Sequence, residues 1–240
     1  MMATDISAEQ QMRCQHHIAL YLAHRWFAFF EAPGGNLDTH MEIFHPQVRL
    51  SGHRGGHLFA RDKASLRTWF ASVPDEISSH HIVHSNYASA DNGDGMLSIV
   101  VAYQSLTDSK MHGSIISYET RIEFTPDGGR FISLDKTPIL ANTRADYETS
   151  WAVNRALALV HAELAGITGS DGQLRTALGK DARQVTVHAT APEASQIYEA
   201  RVTCNSGDPA ASRAVHLTLS DDGKASLPVI ERIDLFTPKS

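Results

Sequence analysis

Apolar residues recur at three- and four-residue spacing from Ile18 through Leu22, Trp26, Phe29 and Phe30, the spacing of a helix with one buried face. Pro33-Gly34-Gly35 stops it, and Asn36 or Asp38 can then cap a short helix that carries Leu37, Met41 and Phe44 and ends at Pro46. Val48 to Gly52 and His57 to Ala60 read as two strands joined through Gly55-Gly56. Asp62 is placed to cap a third helix with the stripe Leu66, Trp69 and Phe70, which breaks near Pro74. The pattern then changes to a period of two. Runs from His80 to Ala88, Met96 to Thr107, Met111 to Phe124 and Arg130 to Lys136 are separated by tight polar turns such as Asp91-Asn92-Gly93-Asp94-Gly95, which predicts an antiparallel meander. Three helices, a hairpin and a long meander require the helices to cover one sheet face, leaving a cone between the layers.

The segment Leu140 to Asp146 reads as a linker, after which the pattern starts again in shorter form. Val153, Leu157, Val160 and Leu164 form a helical stripe ended by Gly166, and Leu174 to Leu178 adds a turn or two. Strand-like runs follow from Gln184 to Ala191, Gln196 to Cys204, Ser212 to Leu219 and Ala225 to Asp234. The expected division is therefore 1–142 for the cone and 143–240 for a smaller helix-plus-antiparallel-sheet domain.

Composition narrows the partners. The 240 residues are 42% hydrophobic and 20% charged, enough for a sizeable core, with a formal net charge of -6 and a pI near 6.1. That balance, without a basic stripe, argues against nucleic acid and anionic membrane surfaces. Cys14 and Cys204 stand far apart and outside any CxxC pair, which suits a reducing compartment, so the expected location is the cytoplasm. The N-terminal residues lack the basic end and apolar run of a signal peptide, and no stretch approaches 18 apolar residues.

Phe44-His45-Pro46-Gln47-Val48-Arg49-Leu50, a glycine-containing turn with a capped helix, and Ser79-His80-His81-Ile82 opening the meander resemble the SnoaL-like branch of the NTF2-like superfamily, over roughly Ala8 to Ile139. The resemblance implies an α+β fold in which helices pack on a curved antiparallel sheet around a ligand cavity. The second half is then either a degenerate copy without the hairpin and third helix, or an unrelated extension. The superfamily includes ketosteroid isomerases, scytalone dehydratase, polyketide cyclases, dioxygenase small subunits and many binders without chemistry, so the resemblance implies a shape and not a reaction.

Candidate chemistry comes from histidine and tyrosine. Eleven of the fourteen histidines precede Gly113, in the cone half, and histidine is the usual general acid or base near neutral pH. His80 and His84 share a strand face, but about 13 Å of backbone separates them, and Gly55-Gly56 divides His53 from His57. No metal site is expected, and no GxSxG, phosphate loop or reactive CxxC points to a cofactor or a nucleophile. Strand parity turns His112 and Tyr118 inward with Ile116, Ile122 and Phe124, and Tyr103 inward with Leu97, Ile99 and Val101. Parity leaves His80 and His81 open, and His81 is favoured. His53 leans over the cavity mouth and Trp26 supplies an apolar wall. His16, His17, His24 and His40 fall on helix faces read as solvated.

Ketosteroid isomerases carry an aspartate base at the end of the first hairpin strand, where this chain has Ser51-Gly52-His53. Scytalone dehydratase combines inward histidines, tyrosines and an aspartate, a set that His81, His112, Tyr103 and Tyr118 match in residue type only, with Asp38 as a carboxylate if it turns inward. Two function classes follow. One is a small-molecule cavity protein, extending to a cofactor-independent isomerase, dehydratase or cyclase on an apolar oxygenated compound, in which His81 or His53 moves a proton and Tyr103 or Tyr118 donates to a developing oxyanion. The other is a non-catalytic binder or assembly subunit, including a dioxygenase small-subunit-like role. The expected partners are a small apolar or aromatic molecule, and a homodimer or an intramolecular pseudo-dimer through the sheet face.

Overall fold

The computed structural model describes residues 7–31, 33–73, 77–107, 109–144, 148–168, 172–179, 181–191, 196–206 and 212–235. The expected break at Pro74 and the linker residues Ala145 and Asp146 lie outside the described residues. The element order is α1 (Ala8–Phe30), α2 (Leu37–Met41), β1 (Phe44–Gly52), β2 (His57–Ala60), α3 (Lys63–Ser72), β3 (Ile77–Ser89), β4 (Gly95–Thr107), β5 (Lys110–Thr125), β6 (Gly128–Ala141), α4 (Trp151–Ala165), α5 (Gln173–Leu178), β7 (Gln184–Thr190), β8 (Ile197–Asn205), β9 (Arg213–Ser220) and β10 (Val229–Leu235). The class is α+β, as expected.

Local signals set most element ends. Ser7 caps α1, eleven residues before the apolar stripe begins, by accepting from the Gln10 N–H. Asn36, and not Asp38, caps α2, its side-chain oxygen accepting from Asp38 and Thr39 N–H groups. Asp38 sits at the surface, paired with Arg67. Asp62 and Ser65 form a reciprocal capping box on α3. Gly166 takes a left-handed φ of 73° at the end of α4, and its N–H donates to Glu163 O. One boundary differs from the reading of the sequence: Phe44 belongs to β1, where it pairs with Phe131, because the buried β6 neighbour outweighs a five-residue helix.

The first sheet has the order β2-β1-β6-β5-β4-β3, antiparallel except for a parallel contact of β1 with β6. α1 and α3 cover its inner face, burying Leu22, Trp26, Phe27, Leu66 and Phe70 against Leu50, Leu97, Val101 and Ile122. The second unit repeats the sequence of helix then four-stranded antiparallel meander, in the order β10-β9-β8-β7, with α4 on Tyr198, Ala200, Val202 and Leu217. No described strand pairs with the outer edge of β10, whereas β1 occupies the corresponding edge of β6.

The units meet helix to helix. His17 of α1 reaches His161 of α4, His24 reaches Asn154, and Glu31 reaches Ser150, so the two helices run antiparallel. α1 is thereby enclosed on both sides, by the sheet and by α4, which is why His17, His24 and Arg25 are buried along with its apolar stripe. The histidine faces read as solvated are not: His17, His24 and His40 are all buried.

Gly223, between β9 and β10, shows how closely the units approach. Its φ is +72°, and a Cβ there would stand 2.8 Å from the Gly34 carbonyl oxygen of the first unit. Gly223→Ala is expected to cost roughly 2 kcal/mol from the strained φ and the forced separation. A thermal melt unchanged by this substitution would refute the close contact.

Candidate functional site

The interior of the first cone is filled by its own rings. Trp26 packs edge-on to Phe30 and Phe44, lies parallel to Trp69 with centroids 6.4 Å apart, and approaches Phe70 at 5.9 Å. Phe29 stacks on His40 at 4.0 Å. At the mouth the Lys136 ammonium stands over Phe59 and Trp69, 5.4 and 5.6 Å from their centroids. Edge-to-face contacts repeated in this way fill the space between these rings.

The expected site residues separate into two groups. Tyr118 and Trp26 are both buried; burial pushes the Tyr118 hydroxyl well above its ordinary pKa, the nearby Tyr103 adds to the rise, and a hydrogen bond from Trp26 opposes it. Tyr103 lies beside His80, 5.1 Å between ring centroids. The other three fall away. His53 is exposed in the β1–β2 turn at φ 54°, where Asp135 accepts from the Arg54 and Gly55 N–H groups and from Ser51 Oγ. His112 is exposed near the hairpin end of β5, opposite Ser105, and not turned into the interior as strand parity predicts. His81 points outward, with Nε2 3.4 Å from Glu148 O.

His80 takes the inward place instead, with 6% of its surface exposed. It stacks on Phe27 at 4.9 Å, and its Nδ1 lies 3.2 Å from Glu31 Oε1. Glu31 is the residue the sequence reading missed. Oε1 accepts from the His80 N–H at 2.9 Å, from Ser150 Oγ at 2.6 Å and from Asn154 Nδ2 at 2.9 Å. The Asn154 amide also donates to His80 O at 3.0 Å. β3 is the edge of its sheet, so these contacts satisfy both backbone groups of an edge residue that would otherwise be buried without partners.

A polar line continues from there along the helix seam. The Asn154 amide nitrogen is committed to Glu31 and His80, so its oxygen accepts from His24 Nδ1–H at 2.8 Å. His17 Nε2 faces the Ala182 carbonyl at 3.0 Å and must carry the hydrogen; its Nδ1 therefore accepts from His161 Nδ1–H, also at 3.0 Å. His24 and His161 stack at 5.6 Å. Positions 17, 24 and 31 on α1, and 154 and 161 on α4, share a seven-residue spacing, a signal of helix pairing that was present in the sequence. Burial holds His17 and His24 at about 4 against opposing bonds from Ala182 and Asn154, and holds His161 well below the ordinary value. These rings are neutral at pH 7.

Open space lies elsewhere. A groove of about 860 Å³ runs between α4, α5 and β10, lined by Tyr21, Leu159, Glu163, Gln173, Ile230 and Ile233 among others. It occupies the side of the second unit where the first has β1, β2 and α3. A second cleft of about 360 Å³ lies between the N-terminal half of α1, Tyr87 of β3 and Arg183. A small open pocket of about 20 Å³ sits at the junction of the units, against Arg25, His40, Trp151 and Arg155. Among the described residues no group of three or more histidine, cysteine or acidic side chains is placed to hold a metal ion, and no helix is long and apolar enough to cross a membrane.

No family model and no curated protein matches the chain. Among solved structures it is similar to nuclear transport factor 2 from Cryptosporidium parvum, at 11% identity over 57% of this chain and 99% of that one, with a TM-score of 0.42. It is similar also to a candidate scytalone dehydratase from Novosphingobium aromaticivorans, at 9% identity over 60% and 95% with a TM-score of 0.46. A protein of unknown function with a cystatin-like fold from Nostoc punctiforme matches at 11% identity over 56% and 95%, with a TM-score of 0.42. Likenesses at this level add nothing about chemistry.

Proposed function

We propose that the chain is a small-molecule-binding protein of the SnoaL-like kind whose ligand site is the groove of the second unit and not the first cone. The observation that carries this reading is the exchange of volumes: aromatic rings fill the first cone, while the second unit, without a hairpin and third helix, keeps about 860 Å³, within the usual range for a ligand pocket. Leu159, Ile167, Ile230 and Ile233 offer apolar walls, and Tyr21, Thr168, Gln173 and Glu163 offer polar groups to orient a ligand. An apolar molecule with one or two oxygen functions fits that lining.

The catalytic version of the reading, an isomerisation, dehydration or cyclisation, needs a proton-transfer group beside bound substrate. In the first cone that group would be His80, oriented by Glu31 and neighbouring Tyr103, but its ring is enclosed by Phe27 and Tyr103. Binding without turnover is therefore the preferred reading.

1-Naphthol, followed by its own fluorescence, is the test ligand. Wild-type protein is expected to bind it, and Gln173→Trp, an exposed position on the groove wall, is expected to weaken binding at least tenfold with an unchanged melting temperature. Binding that survives Gln173→Trp but is lost in Tyr103→Phe would move the site to the first cone, and no binding at all would remove the reading.

A further inference from the structure

One edge of the second sheet is open in a way that the other sheet edges are not. β10 pairs with β9, and no described strand lies along its other side. The first sheet ends on one side in β2, only four residues long, and on the other in β3, whose His80 N–H and carbonyl are taken by Glu31 and Asn154. β7, the far edge of the second sheet, lies beside α4. Exposed edges are normally blunted by short length, proline, charge or a covering element, because their unpaired N–H and C=O groups recruit further strands. β10 has a bulge at Glu231, but over residues 232–235 its ladder is regular and holds no proline or lysine.

The side chains of that stretch identify what pairs with it. Ile233 turns to the core of the second unit, opposite Leu217. Arg232 and Asp234 turn to the other face, both more than half exposed, and Arg232 Nε donates to Asp234 Oδ2 at 2.8 Å. Turned end over end about Ile233, the strand is its own complement in charge. An antiparallel copy centred there sets Arg232 opposite Asp234 of the partner subunit, and Asp234 opposite the partner subunit's Arg232. Directly opposed residues of an antiparallel pair share a sheet face, so both charge pairs form on the outer face while the two Ile233 side chains meet on the inner one. Leu235, on that inner face and 70% exposed, gains cover. Centring the pair on Glu231, Arg232 or Asp234 instead would set two like charges face to face.

We propose that β10 is a dimerisation edge, through which two copies of the chain pair antiparallel over residues 232–235, centred on Ile233, and join their four-stranded sheets into one. The pairing needs no ligand in the adjoining groove, and it gives β10 the neighbour that β1 gives β6 in the first unit. One strand from each subunit makes a small interface, which places Kd on the order of micromolar.

Sedimentation equilibrium over about 1 to 200 μM spans that range, and the mass is expected to rise reversibly from one chain to two. Arg232→Asp sets acid against acid twice, and Asp234→Arg sets base against base. Each is expected to weaken the dimer about tenfold with an unchanged melting temperature, since both positions are exposed. An equimolar mixture of the two variants is expected to restore the dimer, because each then faces its complement. In the wild type the backbone amides of residues 232–235 should gain hydrogen-exchange protection as concentration rises. A mass of one chain throughout would overturn the proposal, and so would a dimer that neither substitution weakens, which would place the interface on another surface.

Discussion

Glu31→Leu is expected to destabilise the protein by about 3–5 kcal/mol, the usual cost of removing one member of a buried charged network. The Glu31 side chain has no solvent exposure, and it is the common acceptor for the His80 backbone N–H, Ser150 Oγ and the Asn154 amide. Leucine fits the space but leaves those donors without a partner. The position is also the C-cap of α1, where the helix dipole disfavours a carboxylate, so the surrounding donors must outweigh that repulsion as well. Glu31→Gln keeps one acceptor oxygen and should cost less, about 1–3 kcal/mol. Urea unfolding measures both, and hydrogen exchange at the His80 amide adds a local signature, since that N–H should lose protection in the leucine variant before the rest of β3. A leucine variant as stable as wild type would show that the carboxylate is not needed at the junction.

Acid should open the same seam. In the unfolded chain His17 and His24 titrate at the ordinary value near 6.5, whereas burial holds both at about 4 in the folded protein. Between those values the unfolded chain binds protons that the folded one refuses, so stability is full above pH 6.5 and falls as the pH drops towards 4. The slope follows from linkage, and each histidine contributes up to about 3 kcal/mol across the window. His161, also held low, acts in the same direction, and because it shares a hydrogen bond with His17 the contributions are not additive. Unfolding free energies at pH 7.5, 6 and 5 should therefore decline steadily, and the decline should flatten when His24 is replaced by asparagine. Stability that holds level from pH 7.5 to 4.5 would contradict the neutral, buried seam.

Much of the fold was legible because its signals are local. The four runs of the first meander follow from period-two alternation and their turn residues, and Asp62 and Gly166 act through hydrogen bonds within a few residues of themselves. Site geometry was less legible. Parity identified Tyr103 and Tyr118, whose strand face is set by Leu97, Val101 and Ile122, but it could not choose between His80 and His81, since both had apolar companions. The choice is made by Glu31, Ser150 and Asn154, and the last two stand 70 and 74 residues further along the chain.

Hydrophobic period and capping chemistry, then, determined the elements and their order, because each residue involved acts on neighbours within one or two turns. Tertiary structure alone decided that α1 is covered on both sides, that the rings of the first cone meet and fill the space between them, and that the open volume lies against α4, α5 and β10. The physical reason is that burial is a property of pairs distant in the chain. His24 is a surface residue until Asn154 arrives, 130 positions later, to cover it and accept its hydrogen bond.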